Sequence, residues 1–149
     1  MSLTRSLTAA ALTVAAAAAL ALPPGAAAHG TSVKVRPSKL GRILVDNHGK
    51  TLYLWAHDKG RRSTCNGQCA TYWPPLVTSG KPKAGPGTRT RLLRTSRRAD
   101  GRRQVTYHGH PLYYYVGDKS PGAVTGQDVN ANGGLWFLVK PNGTADMAA

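Results

Sequence analysis

The feature that most constrains this chain is a duplication, in which a cluster of residues recurs sixty positions later. Setting Gly49 against Gly109 pairs His48 with His108, Leu52 with Leu112, Tyr53 with Tyr113, Trp55 with Tyr115 and Asp58 with Asp118, all at one offset. The match continues after a one-residue slip with Gly67-Gln68 against Gly126-Gln127. A looser counterpart of Trp73-Pro74-Pro75-Leu76-Val77 follows in Trp136-Phe137-Leu138-Val139. Repetition on this scale means that one supersecondary unit is built twice and packed against itself.

Each copy reads as a β-hairpin. In the first, Ile43-Leu44-Val45 and Thr51-Leu52-Tyr53-Leu54-Trp55 flank the turn cluster Asp46–Lys50. In the second, Gln104-Val105-Thr106-Tyr107 and Pro111–Val116 flank His108-Gly109-His110. Two β-prone runs around a Gly-containing turn are the hairpin pattern. The segments Leu52–Trp55 and Leu112–Val116 are apolar or aromatic on both faces, as in strands covered on both sides. Beyond residue 28 no helical periodicity lasts longer than two turns. The pattern predicts an all-β chain with few or no helices, arranged as a small β-sandwich or partly closed barrel from two pseudo-twofold hairpin repeats.

The first 28 residues have a different character. Arg5 precedes an apolar stretch from Ala9 to Leu22, followed by Pro23-Pro24-Gly25 and Ala26-Ala27-Ala28. This is the pattern of a secretory signal peptide, expected as a signal helix cleaved before His29. Its fourteen or so apolar residues fall short of the roughly twenty that a bilayer span requires. The remainder suits one domain. It divides into a flexible lead-in over 29–39 and a single β domain over 40–143, followed by a disordered tail over 144–149. Within the domain, repeat 1 spans about 40–77, a linker and basic segment 78–103, and repeat 2 about 104–140.

Charge and sulfur chemistry narrow the partners. Beyond Arg5 there are nineteen Lys and Arg against six Asp and no Glu, a surplus that favours anionic partners and opposes self-association. Seven of these cations crowd into 89–103: Arg89, Arg91, Arg94, Arg97, Arg98, Arg102 and Arg103. For an exported chain, expected to be a monomer, the matching partners are anionic cell-wall or envelope polymers, not a specific nucleic acid. Cys65 and Cys69 are the only cysteines, and export makes a disulfide their expected state. It closes a short loop and contributes roughly 2 kcal/mol.

Tyr53-x-Trp55-x-x-Asp58 and Tyr113-x-Tyr115-x-x-Asp118, the Cys65-x-x-x-Cys69 turn ahead of Trp73-Pro74-Pro75, and the Gly-rich loop into Trp136 together carry a resemblance. Over roughly 40–143 the chain resembles a bacterial family of secreted repeats, many of them predicted lipoproteins with a Tyr-x-aromatic-x-x-Asp motif. The resemblance implies architecture and export, and no particular biochemical activity. The chain departs from the lipoprotein members in having no lipobox cysteine, so it is expected to be secreted or wall-associated and not lipid-anchored.

The candidate functional residues admit several chemistries. Tyr53 and Trp55 share one strand face, as do Tyr113 and Tyr115; these aromatics either pack in the core or line a groove for a flat ligand such as a sugar or tetrapyrrole. Asp58 and Asp118 sit just past each strand, where a carboxylate accepts N–H groups of the following turn. His57, His108 and His110 would form a copper or zinc site with the cysteines if they converged. His29, as a new N-terminus, would supply half of a histidine brace for copper. No nucleophile–base pair or spaced carboxylate pair is evident. The expected function is a non-catalytic envelope module that engages anionic polymers through the arginine segment, without a cofactor. A copper- or haem-binding envelope protein and a structural repeat domain for protein assembly are the alternatives.

Overall fold

The structure is a computed structural model that describes residues 30–147. The expected signal helix, the brace candidate His29 and the last two residues lie outside the described residues. Val33 and Val35 alternate with Lys34 and Arg36, and Ser32–Ser38 forms strand β1. It runs antiparallel to β2 (Gly41–Asp46), with Val35 opposite Leu44. Asp46 Oδ1 then accepts the N–H groups of His48 and Lys50, both at 2.9 Å, which reverses the chain toward β3 (Tyr53–Trp55). A long turn leads to α1 (Gln68–Tyr72), the lone α-helix among the described residues. Strand β4 (Lys83–Ala84) lies parallel to β1.

The second copy repeats this plan. A 3₁₀ turn, Thr90–Leu92, enters β5 (Leu93–Arg97), which is antiparallel to β6 (Arg103–Tyr107), and β7 (His110–Pro111) pairs with β6. Strands β8 (Asn130–Ala131) and β9 (Gly134–Leu138) form a closing hairpin, and β9 lies antiparallel to β3 with Trp55 opposite Trp136. The molecule is therefore nearly all β: three small sheets, ordered β2-β1-β4, β3-β9-β8 and β5-β6-β7, with no closed barrel among the described residues.

Three expected boundaries move. The segment expected as a flexible lead-in carries β1, because Val33 is fully buried and Val35 packs beside it. The linker over 78–103 contains β4 and also β5, the first strand of the second copy, anchored by buried Leu93. The expected disordered tail turns back at Gly143, where φ is +90°. Ala145 then bridges to Val139, and Asp146 is buried with its N–H on the Leu138 carbonyl at 2.8 Å.

The two copies complete each other. The N–H of Leu44 in β2 donates to the Val139 carbonyl at 2.9 Å, and that of Val105 in β6 donates to the Leu76 carbonyl at 2.8 Å. Leu44 and Val105 hold the same place in their hairpins, opposite Val35 and Thr95, which are sixty residues apart. The closing segment of each repeat thus hydrogen-bonds the hairpin of the other. Strands β2 and β3 lie between two cores, because successive side chains point to opposite faces. Leu44, Leu52 and Leu54 join Leu76, Val105, Leu112 and Phe137 on one side. Ile43, Val45, Tyr53 and Trp55 join Trp73, Tyr113, Trp136 and the cysteine pair on the other.

Candidate functional site

The duplication brings the two motifs together at their tyrosines. Tyr53 and Tyr113 exchange backbone hydrogen bonds at 2.8 and 2.9 Å, which puts the pseudo-twofold axis between them. Their side chains then cross. The Tyr113 hydroxyl donates to Asp58 Oδ2 at 2.5 Å, and the Tyr53 hydroxyl donates to Asp118 Oδ2 at 2.6 Å. The remaining oxygen of each carboxylate holds its own turn: Asp58 Oδ1 accepts the N–H and hydroxyl of Thr64, and Asp118 Oδ1 those of Thr125. The expected turn-holding role of the aspartates is present, joined by a cross-copy bond that their spacing does not announce. Burial first, and then the facing carboxylate, push both phenols well above the usual tyrosine range.

The other motif aromatics form a column. His57, Trp55, Trp136, Trp73 and Tyr115 stack in that order with centroid separations of 4.7, 5.1, 3.9 and 4.2 Å. Trp55, Trp73 and Trp136 are buried, and their faces are covered by one another. The groove for a flat sugar or tetrapyrrole is thus replaced by self-stacking, which offers the large rings their best-matched apolar partners.

The histidines do not converge. His57 ends the aromatic column, while the rings of His108 and His110 lie 6.4 Å apart in an edge-on arrangement. Cys65 and Cys69 are joined in a disulfide, as expected. Among the described residues no three His, Cys, Asp or Glu side chains gather as a metal would require.

Sequence reasoning placed Arg98 among the polymer-binding cations, and the structure moves it to the interior, where it is 3 % exposed. Its Nη1 donates to Ser63 Oγ at 2.9 Å and Gln104 Oε1 at 2.7 Å, and its Nη2 to the Cys65 carbonyl at 2.7 Å and Asn66 Oδ1 at 3.2 Å. Ser63 Oγ also lies 2.7 Å from the Tyr113 hydroxyl. A guanidinium this buried is sustained by the four acceptors on its two Nη groups, while Nε makes no hydrogen bond and lies 3.5 Å from the Asp100 carboxylate. Arg98 is a clamp that fastens the cysteine turn of the first copy to the β5–β6 hairpin of the second.

The clamp sets two basic segments side by side. Lys59, Arg61 and Arg62, from the turn after Asp58, face Thr95, Ser96 and Arg97 of β5 across an open cleft of about 400 Å³. Lys59, Arg61 and Arg62 have no side-chain hydrogen bond or ion pair among the described residues. Arg97 donates only to the Gly101 carbonyl. Of the other segment arginines, Arg89, Arg91, Arg94 and Arg103 are exposed, and Arg102 is paired with Asp100 at 2.8 Å, which helps hold that carboxyl down to about 2. Lys59, Arg61, Arg62 and Ser96 were missed by reasoning from arginine density. Their signal was the contrast between Lys59-Gly60-Arg61-Arg62 and its counterpart Lys119-Ser120-Pro121-Gly122.

Two hairpin repeats, crossed Tyr–Asp pairs and exchanged closing segments define a two-repeat all-β module. The family model described as "Secreted repeat of unknown function" matches residues 34–77 and 94–140, and the chain belongs to that family. Both matches begin inside the first strand of a hairpin, β1 or β5, in agreement with the shifted boundaries. No curated protein and no solved structure matches the chain. Among the described residues no helix is long and apolar enough to cross a membrane.

Proposed function

We propose that this secreted repeat protein is a non-catalytic, cell-envelope-associated module that binds anionic wall polymers through its basic surface. The observation that carries this reading is the unequal fate of its charges. Asp46, Asp58 and Asp118 each accept a tyrosine hydroxyl, Asp100 is bound by Arg98 and Arg102, and Asp146 is paired with Lys140. Little acid is left to face the cations, so the surplus is displayed outward, and the exposed arginines of 89–103 together with Lys59, Arg61 and Arg62 form its densest part. Such a surface captures polyanions by releasing their counterions, with an affinity that falls steeply as salt rises.

The test is retention of the full exported chain on isolated cell wall across a salt series. Binding should weaken progressively between low and high salt, and replacing Arg89, Arg91, Arg94 and Arg103 by Gln should weaken it most at low salt and flatten its salt dependence. Retention that ignores both salt and those substitutions would refute the proposal.

A further inference from the structure

We infer that the cleft between the Lys59–Arg62 turn and β5 is a phosphodiester-binding subsite, built for a polyol or sugar phosphate unit of a wall polymer. It rests on the anionic-polymer reading and adds a place and a ligand chemistry.

The duplication supplies an internal control, because the same place in the other half is filled. By register, Ser96 of β5 corresponds to Arg36 of β1, since Ser96 lies opposite Gln104 as Arg36 lies opposite Ile43 in its hairpin. In that half the Arg36 guanidinium lies over Gly49 and Gly122, so that a Cβ added at either glycine would come within 3.0 and 3.2 Å of its Nη1. The Gly122 N–H also bonds the Gly49 carbonyl at 3.0 Å, which draws the turn down onto the hairpin. In the cleft half, a serine stands where the long arginine would lie, and Arg61 and Arg62 stand where Pro121 and Gly122 close the gap. One half is therefore plugged by its own cation, and the other is open and rimmed by four.

The donors fit a tetrahedral oxyanion. A carboxylate presents two coplanar oxygens, which one guanidinium fork satisfies, whereas phosphate can take donors from several directions. Three guanidinium groups and an ammonium line the concavity, with no carboxylate among its lining residues. Ser96 lines it too, and its buried hydroxyl has no hydrogen-bond partner. A volume of about 400 Å³ exceeds what a bare ion fills and accommodates the unit attached to it.

The decisive variant is Ser96→Arg, which adds a positive charge while supplying the plug found in the other half. Binding of the full exported chain to poly(glycerol phosphate) is measured by calorimetry at about 0.15 M salt, beside polygalacturonate of matched charge and phosphatidylglycerol vesicles. The expected result is at least tenfold preference for the phosphate polymer over the carboxylate polymer, and at least tenfold loss on Ser96→Arg despite the added charge. Arg61→Gln/Arg62→Gln, at exposed positions where folding is spared, should lose as much, and Arg91→Gln/Arg94→Gln less than threefold. Unchanged or tighter binding by Ser96→Arg, together with an unaffected Arg61→Gln/Arg62→Gln protein, would overturn the cleft while salt-sensitive binding to both polymers left the broader reading standing. Absence of salt-sensitive binding to either polymer would overturn that reading itself. Tighter binding to the vesicles than to the polymer would overturn the assignment to wall polymer in favour of lipid head groups.

Discussion

At the scale of single residues, the motif acts between copies. Tyr113 pairs with Asp58 and Tyr53 with Asp118, so the double substitution Tyr113→Phe/Asp58→Asn should show a coupling energy of about 1–2 kcal/mol in denaturant unfolding. Tyr113→Phe with Asp118→Asn, its own motif partner, should be additive to within about 0.5 kcal/mol; coupling within a motif instead of across motifs would contradict the crossing. The buried phenols also set an alkaline limit. Their folded-state ionisation lies above that of an unfolded tyrosine near 10, so their contribution is complete below that pH and is lost as pH climbs beyond it. Ultraviolet titration should show Tyr53, Tyr113 and the half-buried Tyr114, whose hydroxyl donates to Asp46 Oδ2 at 2.9 Å, ionising only together with unfolding, and their ionisation near pH 10 in an intact fold would show the sites to be solvated. Arg98→Gln should cost about 3 kcal/mol, because it strips the donors from a buried acceptor set, whereas exposed Arg91→Gln should stay within about 0.5 kcal/mol. Equal losses in thermal melts would remove the distinction between clamp and surface.

Among the elements, the exchange of closing segments makes each hairpin depend on the other copy. Residues 30–77 and 78–147, produced separately, should each lack a cooperative unfolding transition and regain one on mixing; a cooperative melt by either alone would show that the exchange is dispensable. Much of this architecture was legible in the sequence, since the apolar runs of β2, β3 and β6 and their turns follow from local composition. Strand β1 was less so, because Pro37 and flanking polar residues interrupt its short alternation, and β5 shows only as the short strand that Arg91-Leu92-Leu93-Arg94 permits inside a basic segment, ahead of a turn at Ala99-Asp100-Gly101. Segment exchange leaves no local trace at all: the partner of Leu76 is chosen by the pseudo-dyad and not by neighbours in sequence. Likewise Tyr53 and Asp58 lie close in the chain and suggest a shared turn, while folding sends the phenol to the opposite copy.

For the whole molecule, symmetry provides the stability and its breakage provides the site. The Lys59–Arg62 turn and β5 are the places where the copies differ at the cleft, and the Arg98 clamp ties the cysteine turn that follows the first to the hairpin that contains the second. Arginine density alone pointed to 89–103. Ser96 and Arg36 stand at the sixty-residue offset itself, but their contrast acquires meaning only in the fold, which sets Ser96 beside the Lys59–Arg62 turn and lays Arg36 over Gly49 and Gly122. Backbone amide shifts of the full exported chain, followed by nuclear magnetic resonance during titration with poly(glycerol phosphate), test this most directly. Perturbations should concentrate at Lys59–Arg62 and Thr95–Arg97 and leave Arg36, Gly49 and Pro121–Gly122 unmoved. Equal perturbation of the two pseudo-equivalent places, or shifts spread evenly over all exposed cations, would contradict a site built by broken symmetry.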